Sequence, residues 1–397
     1  MVHQACKTTE KITTEAWVLH AGQKSSGKNA EPAELSLEKF SFPNITEQEV
    51  LCEPIYGCWE GNMTHALQRR PVDICLQRGE PSTVIGNAGV VRIIKTGSAV
   101  TSVEVGDYAL VFCNGVWDKF GYPEKILAYD APNTMGVLAK QMKLHERQVI
   151  LVPEDTQYSL PQWSAFSLRY ITAWANWKLA YGCWRLQMTE EDCPAPFVWG
   201  WGGGVSMAEL QLAKFAGCRV AMISSDDKRL SLIKEMGIKP IDRRLFPNLD
   251  FDENKYATDP VYKKSYQTCE DVFLQTVKDQ TMGLGVSIFI DYVGSPVIRA
   301  TLKALARQAV VTTAGWKEGM KISSTRAIEC IQRHIHVHTH YARYPQGRAA
   351  VRFAEDTGWI PQVDSKIYAW DDIPELAHDY ANGKISAYFP TFQVNGL

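Results

Sequence analysis

The sequence has little net charge, and its cysteines are not paired. Its 42 lysines and arginines nearly balance 44 aspartates and glutamates over 397 residues, which gives a net charge of −2 and a pI near 6.5. This balance gives no support to a nucleic-acid-binding role. The ten cysteines are scattered and include no Cys-x-x-Cys pair. That pattern is typical of reduced thiols in the cytosol and unlike a disulfide framework.

Long apolar runs are also lacking. No stretch approaches the roughly 20 uninterrupted apolar residues of a membrane span. Residues 1–15 are polar and lack the apolar core of a signal peptide. We therefore expect a cytoplasmic protein that does not associate with membranes. Its length allows two domains with a large core.

A glycine-rich stretch at residues 197–216 is the most informative part of the chain. An apolar run ends at Trp199, and helical apolar spacing begins near Val205. Between them lie four glycines within five positions: Gly200, Gly202, Gly203 and Gly204. The pattern predicts a strand, a glycine turn and a helix. The main chain from Gly200 to Ser206 would then bind a pyrophosphate at the helix N-terminus.

The end of the following strand, predicted at 218–223, distinguishes between the two nicotinamide cofactors. A carboxylate there binds the ribose 2′-hydroxyl of NAD, whereas hydroxyl and basic groups accommodate a 2′-phosphate. The hydroxyl and basic residues at this point are Ser224, Ser225, Lys228 and Arg229. Asp226 and Asp227 are carboxylates and would favour NAD(H). The alternative is that they are the N-cap and a first-turn acid of the next helix. The placement favours NADP(H).

The regions around this unit differ in their predicted secondary structure. Residues 84–111 have the short, β-rich pattern of a barrel-like domain, and residues 163–181 have the apolar stripe of a helix. Residues 286–291 and 309–313 are predicted strands. The turns after these two strands place three residues at the ligand-facing edge of a parallel sheet, namely Gly294, Ala314 and Gly315. The polar stretch 245–267 is predicted to be a surface loop.

The order of these parts resembles the medium-chain dehydrogenase/reductase superfamily. Matching segments are residues 84–111, Tyr-Ile-Thr-Ala-Trp at 170–174, the glycine turn and residues 371–388. The resemblance implies an α/β fold with a GroES-like β-rich catalytic domain, a Rossmann doubly wound parallel-sheet domain, and a homodimer joined through the Rossmann sheets. We expect the N-terminal part of the catalytic domain at 1–162, the Rossmann NADP-binding domain at 163–338, and a C-terminal return to the catalytic domain at 339–397.

Within the superfamily, several short runs are similar to the crotonyl-CoA carboxylase/reductase group. They are Cys-Asn-Gly-Val-Trp-Asp at 113–118, Trp-Gly at 199–200 leading to Ser-Met-Ala at 206–208, Ile-Ser-Ser-Asp-Asp-Lys at 223–228, and Thr-His-Tyr-Ala-Arg-Tyr at 339–344. The last run places His340 on the group's active-site histidine. Tyr129, Asp130 and Asn133 fall where the group has an aromatic-Glu-Thr-Asn segment.

The sequence departs from that group at three points. Asp130 replaces the longer glutamate, and residues 56–59 contain no clear counterpart of the group's CO2-pocket asparagine. Val205 falls at or near the third glycine of the dinucleotide fingerprint, where a β-branched residue would crowd the contact between helix and strand. These departures leave carboxylation open, and they leave open a degenerate member without catalysis.

A zinc site is not expected. Many medium-chain dehydrogenases bind catalytic zinc through a cysteine and a Gly-His-Glu segment, which here reads Gly86-Asn87-Ala88. Cys58 alone does not make a zinc site, and no closely spaced cysteines follow Cys113. The alternative for a metal is the run of His334, His336, His338 and His340, which would share one face of a strand. The same run also suits an edge or inter-subunit strand.

The chemistry most compatible with NADPH and no zinc is conjugate reduction of a 2-enoyl thioester of CoA or a carrier protein. Hydride goes to the β-carbon, the enolate oxygen needs hydrogen-bond donors, and the α-carbon needs a proton. The candidate catalytic residues are Tyr129, Asp130, Asn133 and His340. The alternatives are reductive carboxylation of an enoyl-CoA, zinc-independent reduction of quinones or enones, and the non-catalytic member.

Overall fold

The computed structural model describes residues 10–23, 31–319 and 333–397. The chain divides into two compact units. The first, which we call the β-rich unit, comprises Met1–Leu168 and Arg343–Leu397. The second, the parallel-sheet unit, comprises Arg169–Ala342. No helix among the described residues is both long enough and apolar enough to cross a membrane.

The described residues form two sets of regular elements. The strands are β1 (Lys11–His20), β2 (Ser36–Pro43), β3 (Glu49–Cys58), β4 (Ser82–Thr83), β5 (Gly89–Thr96), β6 (Tyr108–Val111), β7 (Asn114–Trp117), β8 (Pro123–Ile126), β9 (Met142–His145), β10 (Val149–Leu151), β11 (Phe197–Trp201), β12 (Arg219–Ser224), β13 (Lys239–Asp242), β14 (Val286–Asp291), β15 (Leu305–Thr313), β16 (His336–Thr339), β17 (Ile367–Tyr368) and β18 (Thr391–Gln393). The α-helices are α1 (Gly61–Leu67), α2 (Ile74–Arg78), α3 (Leu160–Arg185), α4 (Gly204–Phe215), α5 (Asp227–Glu235), α6 (Glu253–Thr258), α7 (Pro260–Gln280), α8 (Ile298–Ala304), α9 (Tyr344–Thr357) and α10 (Ile373–Ala381). Short 3-10 segments cover Glu146–Gln148, Arg243–Leu245 and Trp370–Asp372.

The β-rich unit is built on a mainly antiparallel sheet in the order β10-β6-β5-β3-β18-β17, with β9 also pairing with β3. Two smaller sheets, β2-β1-β4 and the hairpin β7-β8, complete it. Strand β5 carries Val90, Val91 and Ile93 in the core, while Arg92 between them is half-buried and Lys95 is exposed. This arrangement buries the apolar side of the sheet. The C-terminal strand β18 pairs antiparallel with β3, so the end of the chain returns to this unit.

The parallel-sheet unit has six parallel strands in the order β13-β12-β11-β14-β15-β16. Counted within the unit, this is the order 3-2-1-4-5-6 of a doubly wound nucleotide-binding fold. Strands β11 and β14 are buried along their whole length, as expected for strands covered on both faces. The order reverses between β11 and β14, and ligands of such sheets bind beyond the carboxyl ends of the strands at that reversal. The predicted α/β class, with a β-rich domain and a doubly wound parallel sheet, is confirmed.

Two local predictions are wrong. Strand β11 continues through Gly200 to Trp201, so Gly200 belongs to the strand and only the later glycines form the turn. The strand is longer because the indole of Trp201 is itself a core group. Its ring stacks on Phe273 at 5.2 Å between centroids and packs on Phe289 at 5.4 Å.

Residues 245–267 are not a surface loop. They contain α6 and the start of α7, each capped by an aspartate whose carboxylate accepts backbone N–H groups. Phe246, Leu249 and Tyr266 are fully buried there. The stretch has polar composition because its charged residues face solvent, while widely spaced aromatic residues supply the apolar face.

Candidate functional site

The glycine turn follows β11 directly. Gly202 has φ +132°, and a Cβ there would lie 2.6 Å from Ser206 Oγ and 2.9 Å from Tyr292 Cβ. Glycine is therefore required both for the conformation and for the space. A Cβ on Gly203 would meet nothing within 4 Å. The backbone of Gly203, the N-cap of α4, thus borders open space.

The first turn of α4 supplies the groups that an anion needs. The amides of Gly204, Val205 and Ser206 have no acceptor within the helix because they belong to its first turn, and Ser206 Oγ donates to Trp201 O at 2.9 Å. Val205 is half-buried between the buried residues Gly204 and Ser206. Its branched side chain is therefore not enclosed between helix and strand. The amides and the open space at Gly203 fit a pyrophosphate.

The end of β12 brings together the residues predicted to select the cofactor. Ser224 is half-buried at the strand end, Ser225 is exposed, and Lys228 and Arg229 follow in α5. Asp226 is the N-cap of α5, where its Oδ1 accepts from the Arg229 N–H at 2.9 Å. The Asp226 carboxylate is therefore engaged with its own helix.

A further basic residue, Arg244, lies at the neighbouring strand end. Its Nη2 is 2.6 Å from Asp227 Oδ1 and 2.8 Å from Asp242 Oδ2. Asp242 is paired in register with Ser224 across β12 and β13. The Arg244 guanidinium holds the pKa of Asp242 below its usual range. The sequence prediction does not include Arg244 because it rests on the end of the second strand alone; the signal for Arg244 is the Asp-Arg-Arg run at the end of the third strand.

The turn after β14 is anchored by a buried carboxylate. Asp291 is fully buried, and its Oδ1 accepts from the N–H groups of Val293 at 3.0 Å and Gly294 at 2.9 Å. Its Oδ2 accepts from Thr301 Oγ1 at 3.0 Å, and the indole of Trp201 donates to the same hydroxyl at 2.9 Å. Burial raises the pKa of Asp291 to about 6. These hydrogen bonds connect β11, the strand that precedes the glycine turn, to the turn at Gly294.

The chain after β15 folds back on the same turn. Ala314 follows β15 directly, and Gly315 forms hydrogen bonds with the Thr313 hydroxyl through its N–H and its carbonyl. Further on, Lys317 N donates to Tyr292 O at 3.0 Å. Because Gly294 has φ +94° and approaches the Gly319 carbonyl closely, no side chain fits there. The predicted residues Gly294, Ala314 and Gly315 thus lie on adjacent loops of one sheet edge.

In the β-rich unit, three of the predicted catalytic residues lie on one loop after β8. Tyr129 packs against the core. Asp130 Oδ1 accepts from the Ile126 N–H at 2.5 Å and so closes the turn. Asn133 is exposed, has φ +59°, and its N–H donates to Glu80 Oε1 at 2.6 Å. The structure gives Asp130 a local role in shaping the turn.

A polar pocket of about 200 Å³ adjoins this loop. Asn133 lines it together with Trp117, His145 and the ion pair of Lys143 and Glu49, whose N–O distance is 2.9 Å. Burial lowers the pKa of His145. The Trp117 ring packs edge-on against His145, 5.3 Å between centroids. The pocket therefore combines donors, acceptors and one aromatic wall.

Asn87 is a second polar feature of this unit. It is 1% exposed, and neither its amide nitrogen nor its amide oxygen has a hydrogen-bond partner among the residues that the structure describes. Its loop is joined to the end of β3, where the Cys58 N–H donates to Ala88 O at 3.1 Å. Buried polar groups are normally paired. Sequence reasoning treated Asn87 only as the replacement of a zinc ligand and did not recognise it as a candidate.

His340 belongs to the parallel-sheet unit. It follows β16, and its carbonyl accepts from Asn176 Nδ2 at 2.9 Å. Strand β16 begins only at His336, and His334 precedes it with φ +53°, so the predicted strand face does not include His334. The side chain of His338 lies outside the described residues. Within the described part of the chain, no three His, Cys, Asp or Glu residues form a group that could hold a metal ion.

Comparisons with known proteins agree with this architecture. No protein-family model matches the sequence, and no curated protein matches it. Among solved structures, the crotonyl-CoA carboxylase/reductase AntE with NADP has a TM-score of 0.76 at 17% identity, covering 97% of this chain and 95% of that chain. The 2-octenoyl-CoA carboxylase reductase CinF, with NADP and 2-octenoyl-CoA, has a TM-score of 0.77 at 16% identity, covering 97% and 89%.

A thermostable alcohol dehydrogenase from Pyrobaculum aerophilum is also similar, with a TM-score of 0.71 at 16% identity and coverage of 96% of this chain and 100% of that chain. At such identities the likeness establishes the fold. The chain has a medium-chain dehydrogenase/reductase fold, in which a GroES-like part accompanies the Rossmann sheet, and it is similar to the crotonyl-CoA carboxylase/reductases. The predicted resemblance is confirmed at the level of fold.

Proposed function

We propose that the protein is an NADPH-dependent reductase of the carbon–carbon double bond of 2-enoyl thioesters. The observation that carries this proposal is the glycine turn at Gly202 and Gly203. This turn leaves open space beside the first amides of α4, those of Gly204, Val205 and Ser206. It lies where the strand order of the doubly wound sheet reverses. The substrate class is supported by the fold shared with AntE and CinF, of which CinF holds NADP and an enoyl-CoA.

The residues proposed to hold the cofactor lie along one edge of the sheet. The pyrophosphate would be held by the main chain from Gly202 to Ser206. The 2′-phosphate would be held at Ser224, Ser225, Lys228 and Arg229, to which we add Arg244. The nicotinamide end would lie at Gly294, Ala314 and Gly315. When bound, NADPH supplies the hydride that goes to the β-carbon of the substrate.

The rest of the chemistry falls to side chains of the protein. Charge develops on the thioester oxygen, and fixed hydrogen-bond donors there lower the barrier. We propose that Asn133 and the unpartnered amide of Asn87 are such donors. The α-carbon then needs a proton, for which Tyr129, Asp130 and His340 are the proposed sources.

The test is a turnover assay of the purified protein with crotonyl-CoA and 2-octenoyl-CoA. We expect oxidation of NADPH to depend on the thioester, and mass spectrometry of the product to show added hydrogen only. A product mass that increases with bicarbonate would assign reductive carboxylation instead. Faster turnover of a free enone or quinone than of the thioester would assign the zinc-independent enone reductase. No saturable NADPH binding would leave the non-catalytic alternative.

We also propose a homodimer joined through the parallel sheets. Within the described residues, β16 forms one edge of that sheet, and Val337 on it is exposed. A strand edge with an exposed apolar side chain is suited to pairing with a second copy. Light scattering of the purified protein would measure the mass, and a monomer at micromolar concentration would reject this part of the proposal.

A further inference from the structure

Glu209 is an acidic residue enclosed within the parallel-sheet unit. It lies in the second turn of α4 and has no exposed surface. Its Oε1 accepts from the Tyr292 hydroxyl at 2.5 Å, whereas its Oε2 has no hydrogen-bond partner among the described residues. Burial raises the pKa of Glu209 well above its usual range. An enclosed carboxyl is costly compared with an apolar side chain, so its presence calls for a role.

The partner of Glu209 lies where three loops meet. Tyr292 is the first residue after β14, and its N–H donates to Trp201 O at 3.2 Å. A Cβ on Gly202 would lie 2.9 Å from Tyr292 Cβ, so the tyrosine packs directly on the glycine turn. Its carbonyl accepts from Lys317 N at 3.0 Å.

Tyr292 therefore touches two of the loops in which the proposed function places cofactor-binding groups, the glycine turn and the chain after β15. One side of the residue contacts the pyrophosphate turn at Gly202, and its carbonyl contacts the chain after β15 at Lys317. Glu209, which lies on α4, fixes the hydroxyl end of the Tyr292 side chain. A ring held at both ends keeps neighbouring loops at a set separation, and preorganised loops bind a ligand with less loss of entropy.

We propose that Glu209 and Tyr292 are a positioning pair that holds the glycine turn and the β15 loop in register for a pyridine dinucleotide. This inference rests on the proposed function, because it concerns the same cofactor. Neither residue needs to touch the reacting atoms. The pair acts through the main-chain groups of Gly202–Ser206 and of the chain after β15, which Tyr292 contacts at Lys317.

The experiment measures NADPH binding by fluorescence titration for three variants. Tyr292→Phe removes the donor and Glu209→Met removes the acceptor, so we expect each to raise the Kd for NADPH roughly 10-fold or more. Glu209→Gln keeps an acceptor of the same shape for the Tyr292 hydroxyl, so we expect its Kd to stay within about twofold of the unaltered protein. In turnover, the KM for NADPH should rise while the KM for the thioester stays unchanged.

The same unit offers a matched control. Tyr266 donates to Glu270 Oε1 at 3.1 Å, and both residues are buried. Tyr266→Phe should therefore lose a comparable buried hydrogen bond and leave the Kd for NADPH unchanged. An equal effect of Tyr266→Phe and Tyr292→Phe would overturn the proposal, because it would reduce the pair to general stabilisation. Unchanged NADPH binding in both Tyr292→Phe and Glu209→Met would overturn it as well.

Hydrogen–deuterium exchange of the ligand-free protein separates this inference from the proposed function. We expect Tyr292→Phe to speed exchange in residues 202–206 and 314–319, and Glu209→Gln not to. If the unaltered protein binds no NADPH but Tyr292→Phe still loosens both loops, the positioning role holds and the cofactor assignment fails. If exchange in these loops does not change, the positioning role is wrong whatever the protein binds.

Discussion

The carboxylate of Glu80 lies 2.7 Å from the guanidinium of Arg78, whose side chain is fully buried. Both residues also hold the loop of proposed catalytic residues. Arg78 Nη2 donates to Thr134 O at 2.6 Å, and Glu80 Oε1 accepts from the Asn133 N–H at 2.6 Å. Asn133 has φ +59°, a conformation that a non-glycine residue keeps only when its surroundings impose it. The ion pair supplies that restraint.

Glu80→Gln should be strongly destabilising. The amide keeps the shape of the side chain but leaves the Arg78 charge buried without its carboxylate, which costs about 3–5 kcal/mol. The free energy of unfolding, measured by denaturant titration, should fall by that amount. The double variant Arg78→Met with Glu80→Gln should be more stable than Glu80→Gln alone, because no buried charge remains.

A matched control for this prediction is the more exposed pair of Glu53 and Arg92, which are 2.6 Å apart. Glu53→Gln should change stability little, because solvent screens exposed ion pairs. Equal effects of Glu80→Gln and Glu53→Gln would show that burial of Arg78 is not what makes its partner necessary.

The buried acid Glu209 should make stability depend on pH. Because burial raises its pKa in the folded protein, the folded state binds the proton more tightly than the unfolded chain. The resulting stabilisation is complete below the unfolded-state pKa and is lost as the pH rises toward the folded-state pKa. Glu209→Gln has no proton to lose. Its free energy of unfolding relative to the unaltered protein should therefore increase from about pH 5 to about pH 9. A difference that is constant over this range would contradict the raised pKa.

Much of the parallel-sheet unit could be predicted from local sequence. Strand β14 covers the residues predicted for it, because an uninterrupted apolar run bounded by glycine turns has few other interpretations. The glycine turn was recognised by composition. Its exact start was not, because Trp201 belongs to β11 only through its contacts with Phe273 and Phe289, which are distant in sequence.

The candidate site was less predictable, for a physical reason. Asn87 and Glu209 stand out only because they are buried with unpaired polar atoms, and burial is a property of the folded chain. Arg244 reaches the end of β12 only because β13 pairs beside it. Only resemblance to a family segment indicates Tyr129, Asp130 and Asn133, because no local pattern distinguishes them from ordinary turn residues.

Arg244→Ala should weaken the binding of NADPH more than that of NADH. The guanidinium pairs with Asp227 and with Asp242, which is the register partner of Ser224. Its loss would leave two carboxylates near the 2′-phosphate and remove a donor for it. Fluorescence titration should show the Kd for NADPH rising roughly 5-fold or more, with a smaller change for NADH. The exposed Lys234 of α5 gives a control, since Lys234→Ala should alter neither Kd. An equal loss for both cofactors would place the 2′-phosphate elsewhere.

Asn87→Ala should lower kcat without lowering stability. If the amide donates to the thioester oxygen as charge develops there, its removal should reduce kcat roughly 100-fold, in the range seen when one such donor is lost. The Kd for NADPH should not change. The melting temperature should not fall, because truncation removes a buried amide that has no partner to leave behind. Asn62→Ala, which alters another amide of the β-rich unit, should leave kcat unchanged. A variant that loses stability but keeps its kcat would instead assign Asn87 to a buried structural contact, such as one with an ordered water.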